Sequence, residues 1–161
     1  MQKKIACFAG HSLLCDCTII ERIMDCAEYY ICTEGINEFW VGSYGDFDRY
    51  AQKAINKLKS RYPYIKLVYV VPYLSKIKKE NKAWYAKVFD ETMVADIPEQ
   101  TPMRYRILKT NQYMVDHADL LICYVEYEWG GACKTLEYAK RRNHIKTVNL
   151  HTACFYTSSH T

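Results

Sequence analysis

One stretch, residues 119–139 (DLLICYVEYEWGGACKTLEYA), constrains the fold of this chain more than any other. It begins with a continuous apolar run at residues 120–125, which is typical of a buried strand. A double glycine at residues 130–131 interrupts the apolar pattern, and apolar residues then recur at helical spacing. A strand, a glycine turn and a helix in this order place free backbone N–H groups and the positive end of a helix dipole at the carboxyl edge of a sheet. The stretch therefore predicts an anion-binding site in an α/β protein.

The remainder of the chain alternates between the same two patterns. Apolar strand patterns lie at residues 3–10, 38–42, 65–73, 88–97 and 145–150. Amphipathic helical patterns lie between them, at residues 18–31, 47–58 and 103–118. Such alternation predicts the α/β class, and within it a Rossmann-like three-layer sandwich with a mostly parallel sheet covered by helices on both faces.

The length of the chain, 161 residues, suits one domain with a substantial core. We expect residues 1–150 to form that single domain and residues 151–161 to be a C-terminal extension. The basic segment at residues 75–82 has no apolar periodicity. We interpret it as a solvated loop or a poorly ordered helix start.

Composition and charge narrow the class of protein. Half of the residues are hydrophobic, which excludes a disordered chain. The formal net charge of +4 suits an anionic ligand but does not require a nucleic-acid partner. No apolar run approaches the roughly 20 residues that span a bilayer, and the N-terminal apolar run is too short for a signal peptide. We therefore expect a cytoplasmic protein with no membrane partner.

The eight cysteines predict neither a disulfide scaffold nor a metal site. Several of them fall inside predicted strands and helices, where cysteine packs as a small buried hydrophobe, so we expect reduced thiols. Cys15 and Cys17 form a CxC pair, but the second pair that a structural zinc site normally needs is missing. We expect no metal and no other cofactor.

Three strand-to-helix junctions supply the candidate ligand-binding residues, because the carboxyl ends of parallel strands share one edge of a sheet. The first junction contributes Gly10, His11 and Ser12; the second contributes Gly42, Ser43, Tyr44, Gly45, Asp46 and Asp48; the third contributes Trp129, Gly130, Gly131, Ala132 and Lys134. Asn111 is the last candidate, because it interrupts the apolar stripe of the 103–118 helix and a buried amide needs hydrogen-bond partners. It either holds the loop after the 120–125 strand or reaches the ligand.

Most of these residues also have a purely structural interpretation. Lys134 opposes the dipole of its own helix, a conflict that a bound anion would relieve, yet it is also spaced to pair with Glu137. Asp46 suits an N-cap and Asp48 a first-turn carboxylate, which spacing alone favours. The alternative is that these carboxylates bind ribose hydroxyls, as acidic residues do in dinucleotide folds. His11 is either structural or part of the site.

Three aromatic residues are candidates for stacking on a base, a contact worth roughly 1–3 kcal/mol in other systems. Trp129 and Tyr44 lie in the junctions. Trp40 lies inside a predicted strand, where core packing is the favoured interpretation.

Taken together, the junctions resemble the SLOG superfamily. The matching motifs are FAGH at residues 8–11, FWVG at 39–42 with GDFD at 45–48, YP at 62–63, PY at 72–73, NQYMVD at 111–116 and WGGACK at 129–134. Their order and spacing cover nearly the whole chain to about residue 150. The superfamily is a Rossmann-like group that unites the DprA single-stranded-DNA binders, the lonely-guy phosphoribohydrolases and small bacterial or phage proteins of the YpsA type.

The resemblance implies a nucleotide-derived small molecule in the cleft at the strand ends. One expectation is a protein that senses or sequesters an ADP-ribose-like or cyclic nucleotide signal. Its context would be one such as phage or bacterial defence, and the protein could be a homo-oligomer. The other is an N-glycosidic hydrolase of nucleoside monophosphates. Phosphoribohydrolases use a PGGxGTxxE loop, and Glu137 falls at the same distance from the double glycine, which implies a catalytic role for Glu137 if the protein is an enzyme.

Three departures from that loop and its surroundings favour binding over hydrolysis. Trp129 replaces the proline, Cys133 the later glycine, and Thr110 stands where related sequences carry an arginine. Loss of the arginine counts against hydrolysis more than against binding. Single-stranded nucleic-acid binding ranks last, because a solvated loop explains the lysines of residues 75–82 equally well.

Overall fold

The structure, a computed structural model, describes residues 1–73 and 82–153. Its strands are β1 (Ile5–Gly10), β2 (Glu38–Val41), β3 (Lys66–Val71), β4 (Glu91–Val94), β5 (Leu120–Tyr124) and β6 (Lys146–Asn149). Its helices are α1 (Thr18–Glu34), α2 (Asp46–Leu58), α3 (Lys82–Val88), α4 (Met103–His117) and α5 (Gly131–Lys140). All six predicted strands and all four predicted helices are present.

All six strands are parallel and form one sheet in the order β4-β3-β2-β1-β5-β6. The chain builds outward from β1 to β4, then crosses back to place β5 on the other side of β1. Gly10 and Tyr124, the last residues of β1 and β5, are register partners. Because the direction of the connections reverses between these two strands, they form the topological switch point, where open α/β sheets have their ligand-binding crevice.

Helices cover both faces of the sheet and complete three layers. On one face, α1 and α2 pack against strand residues such as Phe8 and Phe39. On the other face, α4 and α5 pack against the alternate strand residues, such as Cys7 and Leu121. The strands read as continuous apolar runs because both of their faces are buried. The predicted fold class, an α/β Rossmann-like three-layer sandwich with a parallel sheet, is confirmed.

Helix α3 is the one described element that periodicity did not predict. None of its residues is buried, so it has no apolar stripe to reveal it. Residues 74–81, which include most of the basic segment predicted at residues 75–82 as a loop or helix start, lie outside the described residues, as do residues 154–161 of the predicted extension. In the part of the chain that is described, no helix has both the length and the hydropathy needed to cross a bilayer.

The cysteines of the described chain are all free. Cys7, Cys26 and Cys123 are buried, and burial raises the pKa of each thiol. A thiol held in its protonated form is a poor nucleophile and a poor metal ligand. These three residues therefore act as small apolar side chains in the two cores.

The end of β1 packs closely against α2. A Cβ at Gly10 would overlap the ring of Phe47, whose side chain is fully buried in the core beneath α1 and α2. Glycine is therefore required here by packing, whether or not a ligand binds. Gly131 at the start of α5 is different, because an added Cβ there would have no atom within 4 Å.

We expect Gly10→Ala to lower the free energy of unfolding by about 1–3 kcal/mol, because the added methyl group overpacks the core. Gly131→Ala is the matched control, since it adds the same methyl group where there is room. It should leave stability unchanged or raise it by about 0.4–1 kcal/mol. Urea denaturation followed by circular dichroism measures both variants, and equal stabilities would contradict the packing role of Gly10.

Candidate functional site

A cleft of about 850 Å³, here called the main cleft, opens at the switch point beyond the carboxyl ends of β1 and β5. Its volume is in the range of about 300–1,000 Å³ typical of small-molecule sites. The sequence-predicted residues that line it are Gly10, His11, Ser12, Tyr44, Asp48, Asn111, Trp129, Gly130, Gly131, Ala132 and Lys134. The three junctions thus meet around one cavity.

A smaller cavity of about 210 Å³, here called the side pocket, adjoins the main cleft at the end of β2 and β3. Gly42 and Ser43, two further predicted residues, line it. The two cavities have four lining residues in common, here called the shared wall: Tyr44, Asp48, Ile107 and Asn111. A molecule in the main cleft therefore has direct access to the side pocket.

The glycine turn before α5 forms one end of the main cleft. Gly130 has a φ of +95°, a left-handed conformation that favours glycine. No side chain caps the helix and its first turn holds no acidic residue, so its first backbone N–H groups are available to a ligand. Lys134 lines the same cleft, and within residues 1–73 and 82–153 no carboxylate lies within ion-pair distance of it. The helix dipole and the side-chain charge both favour an anion here.

Glu137 lies outside both cavities. Its side chain is 52% exposed and forms an ion pair of 3.7 Å with Lys140, rather than with Lys134 as spacing allowed. Both side chains of that pair are more than half exposed to solvent, and neither residue lines a cavity.

His11 connects the loop after β1 to the loop after β5. Its Nε2 accepts a 2.9 Å hydrogen bond from the backbone N–H of Glu126, and its ring packs against Tyr127 with centroids 4.9 Å apart. Burial lowers the pKa of His11, although the charge of Glu126 acts in the opposite direction. A lowered pKa favours the neutral ring that can accept this bond. His11 therefore shapes the cleft in addition to lining it.

Gly45 and Asp46 hold the second junction against the first, and neither lines the main cleft or the side pocket. Gly45 has a φ of +112°, and a Cβ there would overlap the backbone of Ser12. Asp46 Oδ2 accepts a 2.8 Å hydrogen bond from the Leu14 N–H, and its Oδ1 pairs with Arg49. The Leu14 bond is the main cause of the lowered pKa of Asp46. These contacts fix the loop that carries Ser12 into the main cleft.

Asp48 is the carboxyl group of the shared wall. Its Oδ2 accepts a 2.9 Å hydrogen bond from the Tyr44 N–H. A Cβ on Gly42 would lie 3.2 Å from the same oxygen, so glycine at that position leaves room for the carboxyl group. Burial raises the pKa of Asp48 to about 6, although the Tyr44 N–H opposes the shift. A carboxyl group with such a pKa in a cleft is a marker of functional sites.

Asn111 connects the shared wall to the glycine turn. Its Nδ2 donates a 3.4 Å hydrogen bond to Thr135 Oγ1, which donates in turn to the Gly131 carbonyl at 2.9 Å. The amide thus has its partner on α5. Both expectations for Asn111 are compatible with this position, because it holds α5 and lines both cavities.

An arginine lies one helical turn before Thr110, the position at which the resemblance to the SLOG superfamily implies an arginine. Thr110 is buried and donates a 2.7 Å hydrogen bond to the Arg106 carbonyl. The Arg106 guanidinium donates to the carbonyls of Thr101 and Glu99, at 3.1 and 3.2 Å. Arg106 and Thr110 both line the side pocket. The pocket therefore contains a positively charged guanidinium group, which is bonded to backbone carbonyls.

The sequence did not single out several residues that line the main cleft, above all Arg104, Tyr105 and Tyr127. Arg104 and Tyr105 lie in the first turn of α4, and a helix that precedes a parallel strand begins at the carboxyl edge of the sheet. This rule could have identified Arg104 and Tyr105 as candidates from the sequence. Tyr127 stacks on Trp129 with ring centroids 5.0 Å apart and an angle of 14°.

Aromatic side chains differ in whether a ligand can reach them. Trp129 is 71% exposed, and Tyr44 is 54% exposed. Trp40 is buried and its Nε1 donates a 2.8 Å hydrogen bond to Glu38, so the prediction of core packing for Trp40 is confirmed. The stacking candidates are therefore the first two together with Tyr127.

The raised pKa of Asp48 has a measurable effect on stability. Its ordinary pKa is 3.8 and its folded pKa is about 6, so ionisation destabilises the fold increasingly from pH 3.8 to pH 6 and fully above that. Asn cannot ionise and keeps an oxygen for the Tyr44 N–H. We expect the free energy of unfolding of Asp48→Asn, relative to that of the wild type, to be about 1 kcal/mol higher at pH 8 than at pH 5. Urea denaturation at both pH values measures this difference.

Asp46→Asn is the matched control for that experiment. Because the pKa of Asp46 is lowered, its ionised form stabilises the fold, and this contribution is already complete above pH 5. The control should be less stable than the wild type by a similar amount at both pH values. A stability difference for Asp48→Asn that does not change with pH would contradict the raised pKa.

Comparisons with known proteins agree with this architecture. Residues 15–157 match the YpsA family model, described as the YspA SLOG family. The SPbeta prophage-derived protein YoqJ of Bacillus subtilis (strain 168) is 24% identical over 136 residues, which cover 75% of this chain and 80% of YoqJ.

Among solved structures, DNA processing protein A (DprA) from Streptococcus pneumoniae is similar, with a TM-score of 0.60 and 14% identity. The similarity covers 86% of this chain and 47% of the DprA chain, so the chain spans about half the length of DprA. At this identity the likeness shows a common fold alone. The family match covers most of the chain and includes the second and third junctions; the resemblance to the SLOG superfamily is thus confirmed, and the chain belongs to its YpsA (YspA SLOG) family.

Proposed function

We propose that the main cleft binds a nucleotide-derived small molecule, and that the protein senses or sequesters a nucleotide signal. One observation carries this proposal: an uncapped glycine turn, two basic side chains and a row of exposed aromatic rings line a single cleft at the switch point. A phosphate group and a base each find matching chemistry there.

The phosphate of such a ligand would lie at the N-terminus of α5. The backbone N–H groups of the first turn point along the helix axis toward that position. Lys134 and Arg104 add positive charge within the same cleft, and hydrogen bonds between charged groups are stronger than neutral ones. A bound phosphate would also relieve the repulsion between Lys134 and the helix dipole, worth about 0.3–1 kcal/mol.

The aromatic rings of the main cleft suit the planar parts of a nucleotide. Tyr105 and Tyr127 are each 45% exposed, and the Tyr127–Trp129 stack presents a wide apolar surface. Exposed apolar surface next to a cleft marks a place where another molecule binds. A base stacked on such rings gains roughly 1–3 kcal/mol.

A nucleic-acid strand is a weaker candidate for the same cleft. The name of DprA describes a DNA-processing protein, but the likeness to DprA covers less than half of that chain. The lysine-rich segment on which nucleic-acid binding would depend lies mostly outside the described residues. A small nucleotide accounts for the main cleft without that segment.

Calorimetry of the purified protein tests the proposal. We expect at least one of AMP, ADP, ADP-ribose and 3′,5′-cyclic AMP to bind with a Kd tighter than about 1 mM. Lys134→Ala should weaken that ligand about 10-fold, because it removes a charged contact to phosphate. Lys140→Ala, in the last turn of the same helix and outside the cleft, should leave the Kd unchanged. Failure of all four ligands, or equal effects of the two variants, would contradict the proposal.

One observation favours a second candidate function, hydrolysis of the N-glycosidic bond of a nucleoside monophosphate. Asp48 has a pKa of about 6 and lies in the shared wall, and a general acid works best with a pKa near the working pH. In this reaction the C1′–N bond breaks and water adds its hydroxyl group to C1′. Asp48 would donate a proton to the leaving base and recover one from the water.

Chromatography of the reaction mixture detects the free base. If the protein is a hydrolase, we expect Asp48→Asn to lower the rate by about 10²–10⁴-fold. Glu137→Gln, on the solvent-exposed surface of α5, should turn over at the wild-type rate. Loss of turnover in Glu137→Gln but not in Asp48→Asn would assign the reaction to Glu137, and ligand binding without any release of base would exclude this second function.

A further inference from the structure

We infer that the side pocket is a base-recognition subsite, in which Asp48 and Asn111 accept hydrogen bonds from an amino-bearing nucleobase. The inference rests on the proposed binding of a nucleotide in the main cleft. It assigns the base to the side pocket rather than to the exposed rings of the main cleft, and it names the chemical group that distinguishes one base from another.

The side pocket has the size for one part of a nucleotide. Its volume of about 210 Å³ falls below the range of about 300–1,000 Å³ of cavities that enclose a whole ligand. Because it is continuous with the main cleft along the shared wall, a ligand can place one ring in the pocket while its phosphate stays at the glycine turn.

Two hydrogen bonds in series give the spacing between the phosphate end and the side pocket. Thr135 Oγ1 lies 2.9 Å from the Gly131 carbonyl oxygen and 3.4 Å from Asn111 Nδ2. The Asn111 amide is therefore within two hydrogen-bond lengths of the glycine turn. In a 5′-nucleotide one sugar separates the phosphate from the base, so a phosphate at the start of α5 leaves the base within reach of the shared wall.

The shared wall offers hydrogen-bond acceptors to that base. Asp48 uses Oδ2 for the Tyr44 N–H, and within the described residues its Oδ1 and the Oδ1 of Asn111 have no hydrogen-bond partner. Carboxylate and amide oxygens accept hydrogen bonds from the amino groups of bases, as in nucleic-acid recognition.

Three other polar side chains of the side pocket already have partners. The hydroxyl groups of Ser43 and Tyr69 bond to each other, and the Arg106 guanidinium is held by backbone carbonyls while it lies 5.7 Å from the ring centroid of Tyr73. The tyrosine rings present flat surfaces for a base. Discrimination between bases therefore depends on the two acceptors of the shared wall.

Matched nucleotides test this assignment in the wild-type protein. GMP and IMP differ only in the 2-amino group, and AMP and purine riboside 5′-monophosphate differ only in the 6-amino group. We expect calorimetry to show that at least one amino-bearing nucleotide binds about 10- to 100-fold more tightly than its amino-free partner. Asp48→Asn should reduce that ratio to less than about 3-fold, whereas Glu137→Gln, which removes an exposed carboxylate outside both cavities, should keep it.

Several outcomes would overturn the assignment. Equal binding within both pairs, or a ratio that Asp48→Asn leaves unchanged, excludes recognition of the amino group and leaves the proposed nucleotide binding in place. If the 2′-deoxy forms of GMP and AMP lose more affinity than the amino-free nucleotides, Asp48 serves the sugar and the base lies elsewhere. If none of these nucleotides binds, the subsite assignment fails; the proposed function fails with it only if ADP, ADP-ribose and 3′,5′-cyclic AMP do not bind either.

Discussion

The pairing of β1 with β5 is the interaction on which the rest of the structure depends. A buried strand must have its backbone N–H and C=O groups paired on both sides, and β1 achieves this with β2 on one side and β5 on the other. The chain adds β2, β3 and β4 on one side of β1 and then crosses back to add β5 on the other side, so the direction of the connections reverses at the β1–β5 pair. Gly10, the last residue of β1, therefore lies beside Tyr124, the last residue of β5. The main cleft follows from this topology, and the side chains only decide what it can bind.

Much of the polar chemistry at the strand ends holds the loops in place. Asp46 accepts from Leu14, and the conformation of Gly45 lets the second junction approach the first. His11 accepts from Glu126 across the switch point. These bonds satisfy backbone groups that would otherwise be unpaired near the core, and they fix the walls before a ligand arrives. A preformed cleft loses less conformational entropy on binding than a flexible one.

Hydrophobic periodicity reports burial, so it predicted every strand and helix with a buried face and missed α3, which has none. It also predicted which loops meet at the sheet edge, because parallel strands leave their carboxyl ends together. It could not decide whether Asp46 or Asp48 reaches the cleft. Residues that are two positions apart in a helix lie on nearly opposite sides of the helix axis. Arg104 was missed because it is exposed and gives no periodic signal, although the start of α4 at the carboxyl edge could have been predicted.

Asp48 shows why a candidate site residue can weaken the fold that carries it. Within the described residues its charge has no cationic partner, and burial makes ionisation costly, with only the Tyr44 N–H and the start of α2 in compensation. The same lack of a partner leaves an oxygen for a ligand. In the proposed complex, a donor from the base favours the carboxylate over the carboxylic acid and so lowers the pKa of Asp48. Ligand binding and release of a proton near pH 6 are then thermodynamically linked at this residue.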